Sequence, residues 1–593
     1  MDARWWMGHS LGWCYTEERK ASIMTAVFDQ AQLDESRPWL ASYAEGVRPE
    51  IDPVEQTLTE ALKRSAQRYP HHVALEFFGR TKTYRELYEQ IERAAAGLRK
   101  LGVQAGDRVA LVLPNCPQHV VAFYAVLRLG AVVVEHNPLY TERELRHQFE
   151  DHEATVAIVW DVASEKVNRL PEDLRPRHIV TVNMTKEMPA LQQFALRLPI
   201  PKARAVRKKL TARPASKKMR AWESLLGKRI SKRVAGPKLS DIAVLQYTSG
   251  TTGKPKGAIL THANLRANAM QGREWLPGLR EGKEVFYGVL PLFHAYGLTL
   301  CLTFAMSIGA RLVLFPTFDI ELVKKAAKHS PPTFLPGVPP IYDRLARAAL
   351  HGELDLSTVR FAISGAMPLP VSTVQRWEEV TGGLLVEGYG MTEASPVALG
   401  NPAGPSRRPG SVGVPFPSTE IRVIDPDDPS VDVGVGQPGE LLLRGPQVFG
   451  GYWKRPEDTA ETLLQDGWLR TGDIVTVSAD GFVTVVDRRK ELIITGGFNV
   501  SPSEVEEVLL SHPDIEDAAV VSLPRGDGAE MVAAAIVIRS GAQLESEAVR
   551  SFCRTRLTAY KVPKRVEFVA ELPRSMVGKV LRREVRELLL AKS

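Results

Sequence analysis

The feature that most constrains the fold of this chain is its alternation of helical and strand-like segments. From Thr57 to Gly102 apolar residues recur with helical spacing, and Arg108–Pro114 is a short apolar run that ends at a proline. Helical and strand-like runs then alternate through Val120–Val134, Thr155–Trp160 and Val313–Phe315. Strands that alternate with helices usually pair in parallel. The sequence therefore predicts an α/β fold with largely parallel sheets.

The chain is too long for one domain of ordinary size. Its 593 residues are roughly three to four times the usual domain length. A turn-rich and strand-rich stretch, Gly410–Val486, predicts a smaller β-rich subdomain. The final part predicts a separate unit, whose first helix begins at the capping sequence Ser501-Pro502-Ser503-Glu504. We expect a large N-terminal domain of layered sheets and helices over residues 24–487 and a small, mobile α+β domain over 488–593.

The first residues of the chain differ from the rest. Trp5, Trp6 and Trp13 are crowded together, and the segment lacks the basic start and the continuous apolar stretch of a signal peptide. We interpret residues 1–23 as a non-native or disordered extension and expect natural translation to begin at Met24.

Composition and cysteine placement favour a globular protein of the reducing cytoplasm. An apolar fraction of 44% and a charged fraction of 24% are ordinary for a folded chain and exclude a disordered one. The longest uncharged run, Gly288–Ala310, contains a proline, a histidine and several glycines, so we interpret it as a buried core segment although it could span a bilayer by length. The four cysteines form no metal-spaced or redox pair: Cys14, Cys116, Cys301 and Cys553.

Positive charge is concentrated in one block of the chain. The formal charge is +7, but Phe194–Arg233 holds 14 Lys/Arg against one acid, Glu223, which leaves about −6 for the rest. Such a block fits a solvated surface or an attraction for anionic membrane or nucleic acid. No aromatic platform or base-reading motif accompanies it, which argues against nucleic acid. Peripheral contact with anionic lipid stays as a hypothesis.

The segment Tyr247–Gly257 is suited to holding a polyphosphate. It reads Tyr-Thr-Ser-Gly-Thr-Thr-Gly-Lys-Pro-Lys-Gly and follows the apolar run Ile242–Leu245. Glycines let backbone N–H groups turn toward an anion, hydroxyls donate to its oxygens, and lysines supply positive charge. It is not a Walker loop, because it lacks Gly-Lys-Ser/Thr at the required spacing. A flexible linker is the alternative, which the lysines after the glycines disfavour.

Three later clusters carry side chains that suit a nucleotide. Glu387–Glu393, read Glu-Gly-Tyr-Gly-Met-Thr-Glu, offers a ring between two glycines and then a hydroxyl and a carboxylate suited to magnesium. Asp466–Asp473 places a carboxylate in a glycine-rich turn, with Arg488 nearby, which suits ribose hydroxyls. Pro573–Lys579 sets a lysine on a glycine turn. Taken singly, each cluster also fits a structural turn or a surface lysine.

Together these motifs resemble the adenylate-forming superfamily, which includes acyl-CoA synthetases, luciferase and the adenylation domains of peptide synthetases. The resemblance covers roughly Thr57–Leu590, and the motifs occur in the family's order. The stretches Asp466–Lys490 and Glu571–Glu584 are most similar to bacterial long-chain fatty acid–CoA ligases. One residue departs from that signature, since Arg470 stands where a histidine is usual.

The resemblance implies an enzyme that works in two half-reactions with ATP, coenzyme A and Mg²⁺. A medium- or long-chain fatty acid is first joined to AMP with release of pyrophosphate, and the CoA thiol then displaces AMP. In such chemistry positioning and charge neutralisation supply most of the acceleration.

The resemblance also implies roles for individual residues. Lys579, Thr392, Glu393 and His294 are the implied catalytic residues, and Thr248 and Glu393 lie near magnesium. Asp473 and Arg488 hold the ribose, while Lys490 is the hinge between the two domains. The phosphate-holding residues are Thr248, Ser249, Gly250, Thr251, Thr252, Gly253 and Lys254. The remaining nucleotide and pantetheine contacts are Gly365, Ala366, Gly388, Tyr389, Gly390, Gly496 and Gly497.

Two other functions remain open from the sequence. One is a fatty acyl-AMP ligase that passes the acyl group to a carrier protein, and the other is a membrane-associated acyl-binding or uptake protein with a vestigial nucleotide site. The expected partners are a fatty acid, ATP and CoA, with no nucleic acid. A homodimer and a cytoplasmic location, peripheral at the inner face of the cell membrane, are further expectations.

Overall fold

The computed structural model describes residues 37–230, 234–248, 255–495, 498–524, 530–575 and 578–592. Both the predicted extension, residues 1–23, and the expected start at Met24 lie outside the described residues.

Twenty-five strands are present in the described residues. In chain order they are β1 Val73–Phe77, β2 Arg80–Thr83, β3 Arg108–Val112, β4 Val132–His136, β5 Val156–Trp160, β6 His178–Val182, β7 Arg220–Ala221, β8 Ile242–Thr248, β9 Lys256–Thr261, β10 Val285–Gly288, β11 Arg311–Leu314, β12 Phe334–Gly337, β13 Phe361–Ser364, β14 Leu384–Gly390, β15 Val397–Gly400, β16 Val414–Pro415, β17 Glu420–Ile424, β18 Gly439–Arg444, β19 Leu469–Val477, β20 Val483–Arg488, β21 Ile493–Thr495, β22 Phe498–Val500, β23 Ile515–Pro524, β24 Glu530–Ile538 and β25 Arg565–Phe568.

The helices alternate with these strands. The α-helices are Leu58–Arg68, Tyr84–Lys100, Pro117–Arg128, Glu142–His152, Ser164–Asn168, Ala190–Arg197, Pro201–Leu210, His262–Trp275, Ala295–Gly297, Phe304–Ser307, Ile320–Ala327, Pro339–Leu350, Val371–Thr381, Pro456–Thr462, Pro502–Leu510, Ser546–Arg554 and Arg582–Ala591. Shorter 3₁₀ segments are Pro38–Ser42, Asp161–Ala163, Met184–Glu187, Trp222–Leu225, Thr392–Ala394 and Arg489–Glu491, and Leu298–Thr303 is a π-helix.

Two large sheets form the body of the protein. The seven-stranded sheet has the order β7-β6-β5-β3-β4-β8-β9 and is parallel except for the antiparallel pair of β8 and β9. The nine-stranded sheet has the order β16-β15-β14-β13-β12-β10-β11-β1-β2, and its strands from β14 to β1 pair in parallel. This confirms the predicted α/β fold.

Most of the predicted segments are present. Leu87, Ile91, Ala94 and Leu98 line the buried face of the helix Tyr84–Lys100. The helical interpretation of Thr57–Gly102 was incomplete, however, because the hairpin of β1 and β2 separates two helices. Each of those helices starts at a threonine whose side chain accepts a hydrogen bond from the third helical residue, as a capping box requires.

The uncharged run from Gly288 to Ala310 lies in the core, as expected. Its residues from Leu298 to Thr303 form the π-helix and are all buried. Among the residues that the structure describes, no helix combines the length and the hydropathy needed to cross a bilayer.

The β-rich part and the C-terminal part also follow the prediction. Strands β17, β18, β19 and β20 form an antiparallel sheet within the predicted stretch Gly410–Val486 and just beyond it. In the C-terminal part, β23, β24 and β25 form a second small sheet with apolar side chains packed on both faces. Ser501 caps the helix Pro502–Leu510, but the carboxylate of Glu504 pairs with Lys561, so only half of the predicted capping box forms. The domain limits 24–487 and 488–593 stay predictions.

Candidate active site

The candidate site lies where parallel strands of the nine-stranded sheet end. Gly365 and Ala366 follow β13, and Gly388, Tyr389 and Gly390 close β14, its neighbour. Crevices at the carboxyl ends of parallel strands are the usual ligand sites of such sheets. Ala366 is exposed and has a φ of +65°, a strained value for a residue with a Cβ.

Tyr389, Asp473 and Arg488 meet in one hydrogen-bonded group. The Tyr389 hydroxyl donates to Asp473 Oδ2 at 2.5 Å, and Arg488 Nε lies 3.1 Å from Asp473 Oδ1. Asp473 and Arg488 face each other because β19 and β20 are antiparallel with these residues in register. The structure therefore brings Tyr389, one of the predicted nucleotide contacts, together with the two residues predicted to hold the ribose.

Glu393 is a buried carboxylate beside this group. It sits in the 3₁₀ turn Thr392–Ala394 and accepts a hydrogen bond from the Tyr452 hydroxyl at 2.6 Å on Oε1. Burial raises the pKa of Glu393, whereas the Tyr452 hydrogen bond and the positive charge of Arg488 lower it in part. Thr392, another of the implied catalytic residues, is half-buried in the same turn.

The donors at this point fit a magnesium ion that is held mainly by phosphate oxygens. Mg²⁺ takes one or two carboxylates together with substrate phosphates. Among the described residues, only Tyr452 donates a side-chain hydrogen bond to the buried Glu393 carboxylate. The described part of the chain contains no group of three or more His, Cys, Asp or Glu that could hold a metal ion. Glu393 can therefore serve as the single carboxylate ligand, and Thr248 stays a predicted ligand.

The predicted phosphate loop joins two antiparallel strands. Thr248 ends β8 and pairs in register with Lys256 at the start of β9. Lys256 forms a salt bridge with Asp458, and its Nζ lies 5.2 Å from the ring centroid of Tyr452. The loop residues themselves lie outside the described residues: Ser249, Gly250, Thr251, Thr252, Gly253 and Lys254.

Lys579 reaches the site from the C-terminal part of the chain. Its backbone N–H donates to Ser575 Oγ at 3.2 Å. A Cβ added to the preceding Gly578 would lie 3.2 Å from Met367 Sδ, so this turn packs directly beside the segment that holds Ala366. Burial and the Arg488 guanidinium lower the pKa of Lys579, and the carboxylates of Glu491 and Asp473 oppose that shift. The Lys579 ammonium is thus close enough to Asp473 and Arg488 to interact with their charges.

His294 lies on a turn that is tied to the same strands. Its Nδ1 accepts a hydrogen bond from Tyr296 N at 3.3 Å, and burial lowers its pKa to about 4, so the ring is neutral at pH 7. The Tyr296 hydroxyl donates to Ile363 O in β13 at 2.7 Å. A Cβ on Gly365 would lie 3.2 Å from Tyr296 Cζ, which explains the glycine at that position.

The predicted hinge residue lies in the 3₁₀ turn Arg489–Glu491, directly after β20. The Lys490 side chain is not among the described ones, and neither are Gly496 and Gly497. Beside the turn, Arg582 forms salt bridges with Glu491 and with Glu506, the latter at 2.7 Å. A third carboxylate, that of Asp487, lies 3.8 Å from Arg582.

Sequence reasoning missed three side chains that organise the site. Tyr452, Tyr296 and Arg582 each bond to a predicted segment, but the sequence assigned no role to any of them. A signal existed for Tyr452, which follows two glycines in Gly450-Gly451-Tyr452. Arg470, the departure from the signature, pairs with the buried carboxylate of Glu440 in β18.

Comparison with known proteins agrees with this geometry. The AMP-binding enzyme family matches residues 62–453, and the AMP-binding enzyme C-terminal domain matches residues 504–579. The chain belongs to the AMP-binding enzymes. A Bacillus subtilis (strain 168) protein named long-chain-fatty-acid–CoA ligase is 38% identical over 559 residues, which cover 94% of this chain and 98% of that relative.

Solved structures of AMP-binding enzymes resemble the chain over nearly all of their length. The ATP-bound RpMatB–BxBclM chimera B3 is 29% identical, with a TM-score of 0.76, and the match covers 90% of this chain and 99% of the chimera. The anthranilate CoA ligase AuaEII, solved in complex with anthranoyl-AMP, is 26% identical, with a TM-score of 0.76 and coverage of 91% and 99%. The two-part fold of this AMP-binding enzyme is therefore shared with enzymes crystallised with ATP or an acyl-adenylate.

Proposed function

We propose that this chain is an ATP-dependent fatty acid–CoA ligase that acts on a medium- or long-chain acid. In the first half-reaction a carboxylate oxygen of the acid attacks the α-phosphorus of ATP, and pyrophosphate leaves. In the second, the CoA thiolate attacks the acyl carbonyl carbon, and AMP leaves. ATP, CoA and the fatty acid are the substrates, and Mg²⁺, when bound, neutralises phosphate charge.

The observation that carries this proposal is the junction of Tyr389, Asp473 and Arg488 with Lys579. An aromatic ring, a buried carboxylate and two cations converge on one crevice, although they come from β14, β19, β20 and the C-terminal part. Such a group fits a nucleotide whose α-phosphate is the reacting centre. Preorganised cations at a phosphate are worth far more in a partly buried site than in water.

Each predicted residue has a proposed task in the first half-reaction. Tyr389 stacks on adenine, with its flanking glycines and the pair Gly365–Ala366 lining the same pocket. Asp473 accepts hydrogen bonds from the ribose hydroxyls, while Arg488 orients that carboxylate through its 3.1 Å contact. Thr392 donates to the α-phosphate, and Lys579 bridges it to the acyl carboxylate. His294, neutral at pH 7, separates the acyl pocket from the nucleotide.

The second half-reaction needs Lys579 to leave and a path for pantetheine to open. We propose a rotation of the C-terminal part about Lys490, which brings the segment of Gly496 and Gly497 to the site. Turns at the ends of elements absorb such changes in φ and ψ. The position of Lys490 in a short turn directly after β20 supports this role.

The proposed location is the cytoplasm, with peripheral contact at the inner face of the cell membrane. Cys116, Cys301 and Cys553 are free and buried, which suits a reducing compartment. Long-chain acids partition into bilayers, so an enzyme that consumes them gains from working at that surface. We also propose a homodimer, the commonest assembly of soluble proteins, which sedimentation velocity will test.

The test is a pyrophosphate-release screen over fatty acids of graded chain length, with and without CoA. We expect release that depends on a medium- or long-chain acid, and acyl-CoA as the product when CoA is added. Acid-dependent release without acyl-CoA formation would favour a fatty acyl-AMP ligase that serves a carrier protein. Acid binding without any pyrophosphate release would favour an acyl-binding protein and would overturn the proposal.

A further inference from the structure

The helical hairpin of residues 190–210 exposes apolar side chains at unusual density. It consists of the helices Ala190–Arg197 and Pro201–Leu210, which we call the 190–210 hairpin. Thirteen large apolar side chains are exposed among the described residues, and five of them fall within this hairpin. Those five are Leu191, Phe194, Leu198, Ile200 and Val206, with exposed fractions of 84%, 65%, 37%, 50% and 40%.

Two of the exposed apolar residues share one side of the first helix. Leu191 and Phe194 are three positions apart and therefore share one side of the helix, and the exposed Leu198 at its C-terminal cap extends this apolar stripe. The opposite side faces the protein, because Leu196 packs against the core and Gln193 Nε2 donates to Met188 O at 2.8 Å. A surface helix normally turns a polar side to water, so an apolar outer stripe indicates an interaction surface.

The hairpin is firmly attached to the body of the protein. Gln192 Nε2 donates to Phe78 O at 3.0 Å, and Trp160 Nε1 donates to Leu210 O at 3.0 Å. Thr211, directly after the second helix, hydrogen-bonds to Asp161. Because both ends are held, the apolar stripe is presented as a fixed surface.

Positively charged side chains surround this stripe, and no acidic side chain of the same segment balances them. Residues 188–222 contain ten Lys/Arg and no Asp/Glu, and all ten cations are exposed. None of the ten forms a salt bridge with a carboxylate of the described chain. Arg197 and Lys202 flank the apolar connection Leu198–Ile200, and Lys208 and Lys209 lie in the last turn of the second helix.

We propose that the 190–210 hairpin is the site by which the enzyme docks on an anionic lipid bilayer, with Leu191, Phe194 and the connection Leu198–Ile200 inserted among the headgroups. An apolar stripe bordered by Lys/Arg is what in-plane binding to anionic membranes requires. A second copy of the chain fits less well, because a symmetric contact would bring two unpaired cationic surfaces together. This inference rests on the proposed function only for the reason to bind a membrane, namely access to fatty acid; the exposed apolar and cationic side chains support it independently.

Flotation of the full chain with vesicles tests the proposal. The vesicles are phosphatidylcholine alone or with about 30 mol % phosphatidylglycerol, an anionic content that attracts basic segments. We expect binding to the anionic vesicles that weakens as salt is added. Leu191→Ser with Phe194→Ser should lower the partition coefficient on the order of tenfold or more, since two large side chains lose apolar burial. Its control, Val431→Ser with Val435→Ser, removes two exposed valines between β17 and β18 and should not change binding.

A second pair of variants separates charge from apolar insertion. Lys208→Glu with Lys209→Glu should lower the partition coefficient at least about 25-fold at low salt, from roughly fivefold per cation, and should flatten the salt dependence. Lys325→Glu with Lys328→Glu is the matched control, because both are exposed lysines at the end of the helix Ile320–Ala327. Pyrophosphate release with a medium-chain acid in the absence of vesicles should stay unchanged in all four variants.

The possible results decide between different partners. If the wild type ignores both vesicles, or if the serine variant binds as the wild type does, the proposal is overturned. Self-association that the serine variant abolishes, with no vesicle binding, would assign the hairpin to a contact between copies. If the wild type shows no acid-dependent pyrophosphate release, the proposed ligase activity is overturned, but the vesicle-binding result still tests the docking proposal.

Discussion

Replacing Lys579 by alanine should separate the two half-reactions. The ammonium is the only part of the C-terminal segment that is proposed to contact the α-phosphate, and it is partly buried beside Arg488. A cation about 4 Å from a phosphate oxygen gains roughly 4 kcal/mol at the effective dielectric of a protein surface. Loss of one preorganised donor costs about 2.7–4 kcal/mol, or roughly 10²–10³ in rate. We therefore expect adenylate formation to fall by at least about 10²-fold.

The assay compares two reactions of the same variant. Exchange of labelled pyrophosphate into ATP reports adenylate formation, and acyl-CoA formation from supplied acyl-adenylate reports the second step. Lys579→Ala should lose the first and keep the second within about threefold, because no contact of Lys579 is proposed there. Lys564→Ala, which removes an exposed lysine of the same part of the chain, is the control. Near-normal exchange, or an equal loss of both reactions, would refute the assigned role.

The same lysine predicts an alkaline limit of activity. Only its protonated form can support the phosphate, and its lowered pKa means that this form is lost at a lower pH than in an ordinary lysine. As the pH rises, kcat/KM for ATP should therefore decline, and the midpoint of this decline in the free enzyme should lie below pH 10.5, the usual lysine pKa. Lys490→Pro should show the opposite separation, with thioester formation impaired and adenylation still measurable, since proline restricts rotation of the proposed hinge.

Three further substitutions test two contacts and one buried carboxylate that the sequence did not predict. Arg582→Gln leaves its carboxylate partners unpaired and should destabilise the C-terminal part by about 3–5 kcal/mol, seen as a lower melting temperature and faster proteolysis; Arg583→Gln, exposed on the same helix, should change little. Tyr452→Phe removes the 2.6 Å hydrogen bond to Glu393 and should raise the Mg²⁺ concentration needed for half-maximal adenylation several-fold; an unchanged Mg²⁺ titration would contradict the metal assignment. Burial raises the pKa of Glu387 to about 8, so the folded chain keeps a proton that the unfolded chain releases above about pH 4.5. The free energy of unfolding therefore falls by at most about 1.4 kcal/mol per pH unit as the pH rises from about 4.5 toward 8. The melting temperature of Glu387→Gln should therefore rise relative to that of the wild type between pH 5.5 and pH 8. If the difference between the two melting temperatures does not change with pH, the burial effect is contradicted.

Local patterns predicted the strands and helices where one interpretation of the apolar residues was possible. The run Arg108–Pro114 became β3, because a short apolar run closed by proline fits a buried strand and little else. The segment around Val73–Phe77 was missed, because its apolar residues also fit the helical spacing on either side. Its pairing with β11, far along the chain, decides the conformation. Such distant pairing cannot be deduced from the local sequence.

Motifs predicted which residues form the site, but not how they contact one another. Tyr389 and Asp473 are separated by 84 positions, and Glu393 and Tyr452 by 59. These contacts depend on where the antiparallel sheet of β17–β20 lies relative to β14, which no periodicity specifies. The charge of the 190–210 hairpin was likewise readable from composition. Its apolar outer stripe was not, since periodicity alone does not show which side of a helix packs inward.

The charges at the site give a physical reason for the order of the two half-reactions. Arg488 and Lys579 lie close enough that each disfavours the other's charge, which is one cause of the lowered pKa of Lys579. On the proposed roles, ATP and the fatty acid bring negative charge between these cations, so the arrangement with Lys579 in place is most stable before adenylation. Departure of pyrophosphate removes most of that negative charge, and the repulsion between the cations is no longer offset. The product state therefore favours withdrawal of Lys579, which is the movement that thioester formation requires.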